Sequence, residues 1–538
     1  MGDEWAALER IQEYVTRHRP VLDAPGLALC VTDRDRALGV ITDGLANVEA
    51  GTPVRADHRF QIGSISKGFT AIALLQQAEA GRIDLDAPVT AYLPWFEVQS
   101  AHAPITVHHL LTHTSGIVAG TEWTGEAAHE VWSLRQTHAG WAPGERFHYS
   151  NAGYKALGLV LEAVTGRRWW ETVREDVMAP IGMGDVDVII TNETRARLAG
   201  GYTGPFDDRP WQPRHGWAPS PWFESATADG TICATAEELA AYARLLLNGG
   251  RGVLSPESFA RMTTPFAPDP TTPGHVFGYG VKWVEDEDRT RLLGHSGGMI
   301  GFTSYALVDP EAGSGVTVLM NSAFGVRLPL VRFALACLRA EAAGKTLPEV
   351  PEPVDPVSVP DAAAWAAAFE DDLGDVSVVA EGDRLFLAAE GRRSPLTPLR
   401  EDRFAIDDPE RDAAMVRIRR DGDDPVSLFW GPRTLRRQGV PRPPDAPSGW
   451  TTLAGRYRSP NAWAVGFDIV LRHGELWLEL LDGSAIDETS HRLSPLEDGS
   501  FALAEPLSPS RVAFDTPIDG RPTRAVLDAA PFFRTAAP

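Results

Sequence analysis

Apolar and polar positions along this 538-residue chain follow two periods, and the places where the period changes divide it. From Met1 to Arg19, Trp5, Leu8, Ile11, Tyr14 and Val15 recur at helical spacing among acidic residues, which predicts an amphipathic helix. Residues 26–33 and 37–43 read as two strands joined by a polar turn at 33–36. An apolar run of good helix formers then predicts a helix from about Ser64 to Glu79, ended near Gly81. Further helices fit 105–112, 151–165, 169–179 and 236–248. Between Val276 and Ser322 the pattern turns strand-like, over 277–285, 289–294, 301–308 and 315–321, and a helix follows from Val326 to Ala343. Strands therefore open and close this region, with helices between. For both ends to share one sheet the chain must return on itself, which predicts an α+β domain, an antiparallel sheet flanked by helices with a helical insertion.

Beyond residue 345 the pattern changes again. Five prolines among acids over 346–361 (Pro348, Pro351, Pro353, Pro356, Pro360) predict an extended linker. The remainder is strand-rich and carries a repeat: Leu396-Thr397-Pro398-Leu399 to Ile406 matches Leu493-Ser494-Pro495-Leu496 to Leu503. A second Pro-rich stretch covers 441–449. Two small antiparallel barrels, over 362–440 and 450–538, follow from this, because closing a sheet on itself removes its exposed edges.

A net charge of −23 argues against nucleic acid and against anionic membrane surfaces, and favours cationic small molecules. No apolar run is long enough to cross a bilayer. Cys30, Cys233 and Cys337 stand far apart in apolar settings and read as buried free thiols, which suits a cytoplasmic location. Among 50 Lys and Arg residues only Lys67, Lys155, Lys282 and Lys345 are lysines. Arginine does not lose its proton inside a protein and lysine can, so a lysine in an arginine-using chain marks a place where a base is needed.

Lys67 follows Ser64 by three residues at the predicted helix start, in Gly63-Ser64-Ile65-Ser66-Lys67. A hydroxyl, an amine one turn away and the unpaired N–H groups of a first helical turn are the parts of an activated nucleophile. The same spacing also fits a capped helix with a solvated lysine. Two more stretches join it. Tyr149-Ser150-Asn151 leads into the helix at 151, where Asn151 could equally be a cap. Gly294-His295-Ser296-Gly297-Gly298 ends one strand and turns into the next, so it is no dinucleotide loop. His108, His109 and His113 lack the glutamate of a His-Glu-x-x-His site, and neither a metal nor another cofactor is expected.

The order Ser-x-x-Lys, Tyr-x-Asn, His-x-Gly resembles the penicillin-recognising serine hydrolases: class C β-lactamases, DD-peptidases, family VIII esterases and D-aminopeptidases. The resemblance covers about residues 5–345, with Leu110-Leu111-Thr112-His113-Thr114-Ser115-Gly116 and Gly278-Tyr279-Gly280 as supporting stretches. It implies a β-lactamase/transpeptidase-like catalytic domain over 1–345, and with two lipocalin-like barrels the whole resembles three-domain D-aminopeptidases. It implies Ser64 as nucleophile, Lys67 and Tyr149 as its base system with the order of proton transfer open, Asn151, Gly297 and Gly298 as substrate contacts, and the backbone N–H groups of Ser64 and Gly298 as oxyanion hole. His295 stands where β-lactamases of the family carry Lys-Thr-Gly. A histidine charged only part of the time near pH 7 turns the expectation towards amide or peptide hydrolysis of the D-aminopeptidase or D-amino-acid amidase type. The alternatives are an esterase or acyltransferase, or a weak β-lactamase or penicillin-binding sensor. The expected partner is a small molecule or short peptide, with a homodimer left open. The acidic stretch 482–488 reads as a solvated hairpin tip or, alternatively, as a barrel loop over the cleft that binds a substrate amine.

Overall fold

The computed structural model describes residues 5–121, 124–286, 288–400, 402–441, 445–481 and 490–535. Its first body is built on a nine-stranded antiparallel sheet. The strand order is Thr52–Pro53, Ala37–Asn47, Gly26–Thr32, Ser314–Met320, Phe302–Asp309, Arg291–Met299, Lys282–Glu285, His275–Phe277 and Ala267–Pro268. The chain returns as expected: Gly26–Thr32, early in the sequence, pairs with Ser314–Met320, with Leu27 opposite Met320 and Leu29 opposite Val318. Every residue of those two strands and of Phe302–Asp309 is buried. That is why they read as apolar runs and not as alternation: helices cover both faces. Ile11, Tyr14 and Val15 of the Ala6–His18 helix meet Val331, Leu335 and Leu338 of the Leu328–Ala342 helix on one face. The Ser66–Glu79 and Ala236–Leu247 helices fill the other through Phe69, Leu74, Leu239 and Tyr242, and that core runs on into the Asn151–Thr165 helix.

The structure corrects one boundary. The strand expected to end at Gly294 runs unbroken from Arg291 to Met299, so His295 to Gly298 lie within it, paired to Phe302–Asp309. Glycine and serine are poor strand formers, and their cluster reads as a turn. Here they are small because the chain segment carrying Ser64 lies against them, and a Cβ on Gly297 would stand 1.9 Å from Ile62 O.

Two closed antiparallel barrels of eight strands each follow. Ala367–Asp371 closes on Arg433–Arg437 in the first, and Gly455–Arg458 on Ala530–Arg534 in the second. The sequence repeat occupies the same hairpin in both. Leu396 faces Ile406 and Pro398 faces Phe404 in one barrel; Leu493 faces Leu503 and Pro495 faces Phe501 in the other. The acidic stretch 482–488 lies outside the described residues.

Each barrel is docked on the first body. Asp412 of the first barrel, with its side chain only 4% exposed, accepts from Arg209 (2.7 Å), Arg214 (2.8 Å) and His215 (2.9 Å). The second barrel approaches so closely that a Cβ on Gly140 would stand 2.2 Å from Leu507 O, and Arg146 pairs with Glu505 at 2.9 Å. Burial raises the Asp412 carboxyl, but hydrogen bonds from His215 and Arg214 and the nearby Arg209 charge outweigh it and hold the group below the ordinary carboxylate value. A carboxyl whose folded pKa is depressed contributes stability above its unfolded value, about pH 4, and loses it as the pH falls through the lower folded value. Asp412→Ala, which strands two arginines and a histidine, is expected to cost about 3 kcal/mol. Differential scanning calorimetry at neutral pH should show an earlier or split transition, and the difference from wild type should vanish on acidification. A thermogram unchanged at pH 7 would remove Asp412 as a docking group.

Candidate active site

The Ser66–Glu79 helix is preceded by a 3₁₀ turn, Gly63–Ile65, so the helix proper starts two residues after Ser64. In 3₁₀ geometry residues three apart eclipse, which brings Lys67 over Ser64. Gly63 has φ +54°, and a Cβ there would lie 2.7 Å from both Gly298 N and Gly298 O. Only a glycine allows that approach, and it sets the Ser64 backbone beside Gly298. From Arg59 to Leu75, Ser64 alone is not buried.

Lys67 is fully buried. Its Nζ donates to Asn151 Oδ1 at 2.7 Å and to Asp229 O at 2.9 Å, and stands 2.9 Å from Ser64 Oγ. Burial lowers its pKa to about 7, with the Asp229 carboxylate opposing and Lys155 assisting the shift. Asn151 is free for this contact because Ser150, and not Asn151, caps the Asn151–Thr165 helix, accepting from Gly153 N at 3.0 Å. Tyr149 hydrogen-bonds Ser64, and burial pushes its phenol well above 10.

The Tyr149 ring is held by His113, a residue the sequence reading treated as structural. The two rings stack with centroids 4.2 Å apart and an interplanar angle of 24°. Ser150 N donates to His113 Nδ1 at 3.0 Å, so the ring and the backbone beside Tyr149 are fixed together. His113 has φ +58°, and burial holds it neutral. The other two histidines of that stretch are engaged separately: His108 Nδ1 with Tyr279 Oη at 2.7 Å, and His109 in the cap of its own short helix. Among the described residues no cluster suits a metal ion.

His295 lies 6.3 Å from Tyr149, ring centroid to centroid, and 5.7 Å from Phe277. Its Nδ1 donates to Ser296 O at 2.5 Å, and its Nε2 has no hydrogen-bond partner among the described residues. Burial, reinforced by Lys282 and Lys67, depresses its pKa well below the ordinary value. The expected partial charge near pH 7 is therefore corrected: His295 is neutral. Lys282 stands nearby, its Nζ donating to Ser296 Oγ at 3.3 Å. Gly297 is buried against Ile62, while Gly298 faces open space.

Three further features escaped the sequence reading. Lys155 pairs with fully buried Glu130 at 2.6 Å, and the Asp229 carboxylate acts on both. Burial lifts the Glu130 carboxyl to about 7 even against Lys155. Trp463, from the second barrel, packs against Phe223 with ring centroids 5.5 Å apart and lines the same cleft as Asn151 and Asp229. Lys155 carried a signal, as one of four lysines; Trp463, more than three hundred residues from Asn151, carried none.

His113→Phe keeps a ring under Tyr149 and removes the acceptor for Ser150 N. Fluorophosphonate labelling of Ser64 is expected to slow about 10- to 100-fold, since a displacement of about 1 Å at a reacting group costs that much. An unchanged labelling rate would show that His113 only fills space.

Comparison with known proteins places this geometry. The β-lactamase family model matches residues 11–337. Penicillin-binding protein 4 of Amycolatopsis lactamdurans is 31% identical over 382 residues, covering 68% of this chain and 97% of the relative. Among solved structures, the octameric penicillin-binding protein homologue from Pyrococcus abyssi superposes with a TM-score of 0.58 at 25% identity, over 80% of this chain and 99% of its own. The D-amino acid amidase from Ochrobactrum anthropi SV3, in complex with L-phenylalanine, superposes with a TM-score of 0.51 at 25% identity, over 62% of this chain and 98% of its own. With the family model matching more than half its length, the chain belongs to the β-lactamase family, alongside penicillin-binding protein homologues.

Proposed function

We propose that this serine hydrolase cleaves amide or peptide bonds of short substrates through an acyl-enzyme on Ser64, with an activity of the D-aminopeptidase or D-amino-acid amidase type. The observation that carries the reading is the set of groups around Lys67 Nζ. Two of its three partners, Asn151 Oδ1 and Asp229 O, can only accept. A neutral amine has two N–H donors and one lone pair. With both donors engaged, the lone pair is left for the Ser64 hydroxyl at 2.9 Å. A pKa of about 7 makes that neutral form available at physiological pH.

In this mechanism Ser64 Oγ bonds to the substrate carbonyl carbon as its proton passes to Lys67. The carbonyl electron pair moves onto oxygen, facing the N–H groups of Ser64 and Gly298. Collapse expels the amine, which takes the proton back from Lys67, directly or through Tyr149. Water then repeats the sequence on the ester. Tyr149 is the less suitable first base, because burial disfavours its phenolate. The neutral His295 removes one fixed positive charge that a β-lactam carboxylate would use, which supports amide substrates over β-lactams. The D-amino acid amidase among the structural neighbours supports the same direction.

Four measurements test this. Intact-protein mass spectrometry after a fluorophosphonate should show a single adduct that Ser64→Ala abolishes, and an adduct surviving the change would sink the mechanism. Lys67→Arg should lower kcat as much as Lys67→Ala, by about 10²-fold or more, because arginine keeps the charge but cannot accept the proton. In wild type kcat/KM should rise with pH through about 7 as Lys67 loses its proton. Turnover of D-alanine p-nitroanilide against its L-isomer and against p-nitrophenyl acetate separates an amidase from an esterase. Ester turnover alone would favour the esterase alternative.

A further inference from the structure

The cleft beside Ser64 has one wall whose chemistry the acyl-transfer steps do not use. It is lined by Asn151, Lys155, Asp229, Phe223, Met299 and Trp463. It adjoins the reacting atoms: Asp229 O accepts from Lys67, and a Cβ on Gly230 would stand 3.8 Å from Gly63 Cα and 3.3 Å from Met299 Sδ. Phe223, Met299 and Trp463 make most of this wall apolar. Against them stands a carboxylate, Asp229, whose Oδ1 is buried and has no hydrogen-bond partner among the described residues.

Such an oxygen is costly to bury unless something donates to it. The cations nearby make their hydrogen bonds to other groups. Lys155 Nζ is paired at 2.6 Å with Glu130, and Lys67 Nζ is held by Ser64, Asn151 and the Asp229 backbone carbonyl. Among the described residues no donor reaches the Oδ1. We infer that Asp229 receives the α-ammonium group of the substrate, with Trp463 of the second barrel closing the subsite over it. This rests on the amidase reading above, whose substrates carry a free amino terminus, and assigns the residue that recognises it.

The chemistry of an α-amino amide fits the placement. Its nitrogen is two bonds from the carbonyl carbon, about 2.5 Å away, so when Ser64 engages that carbon the ammonium must meet a wall of the cleft next to Lys67. The wall holding Asp229 offers a carboxylate; an acylated amine would bring a bulky neutral group against Trp463 and leave the Oδ1 unpaired. Tryptophan is also the best aromatic face for a cation. The negative charge of the chain as a whole favours approach of the same cationic substrates.

The test uses the full-length chain and two pairs of probes. The first is D-alanine p-nitroanilide against propionyl p-nitroanilide, which differ by the amine alone. Wild type should prefer the amine, and Asp229→Asn should reduce that preference in kcat/KM about 10- to 100-fold, as expected for a hydrogen bond to a charged group, with Asp229→Glu restoring part of it. A preference unchanged in Asp229→Asn overturns the inference. The second pair, D-alaninamide against propionamide, protects Ser64 from fluorophosphonate labelling and needs no turnover. If neither anilide is hydrolysed but D-alaninamide protects better, and Asp229→Asn abolishes the difference, the subsite stands and the amidase reading falls. Wild type supplies a control should the variants misfold: protection by D-alaninamide should weaken as the pH passes the amine's own pKa, about 8. D-alaninamide protecting wild type no better than propionamide, at any pH, overturns the inference outright.

Discussion

The structure around Ser64 depends on one buried amine. Lys67 has no contact with solvent, and burial lowers its pKa to about 7. An ammonium in that position would be costly, and an amine without partners would be little better. The fold answers with two acceptors from distant stretches, Asn151 at the head of a helix and the Asp229 backbone, and with the Ser64 hydroxyl one turn before it. Each partner has to arrive at hydrogen-bond distance. The sheet, the helix positions and the loop containing Asp229 are therefore coupled through a single nitrogen. Guanidinium could not substitute, since its planar fork does not match three separated partners and it does not titrate.

The same constraint explains the use of lysine in the rest of the chain. Lys155 and Lys282 are 5% and 7% exposed and lie around the same site, while Lys345 is exposed at the end of the first body. Lys155 serves buried Glu130, and its charge helps to keep Lys67 low. Elsewhere Arg carries the surface pairs, as in Arg209 and Arg214 on Asp412.

Much of this was legible in the residues, and the limits were physical. Helical and strand periods located the sheet, because its central strands are buried on both faces and their apolar runs are long. Ser64 and Lys67 drew attention through their spacing at a helix start; Tyr149 and Asn151 joined them through the order of motifs that resembles the family. The strand through Gly297 and Gly298 could not, since those glycines exist for a close packing contact and mimic a turn. His113 was visible as a residue but not as a partner of Tyr149, because stacking joins stretches thirty-six positions apart. The neutral state of His295 follows from burial and from Lys282 and Lys67, which only the folded chain brings together.

The second barrel could be counted from the sequence, but its role could not be placed. An acidic loop was the candidate contact, on the argument that charge would select a substrate amine. That stretch, 482–488, lies outside the described residues; among those described, Trp463 lies in the 459–465 segment that links two barrel strands and packs on Phe223 of the first body. The barrel also meets the loop that leads to Tyr149, through Leu507 against Gly140 and Glu505 on Arg146. Gly140 leaves no room for a side chain, so the approach is fixed by shape before charge contributes. A body that bears on the Tyr149 loop and on the cleft wall at once cannot shift without disturbing both, which makes the cleft a product of two domains and its selectivity a matter of how firmly they dock.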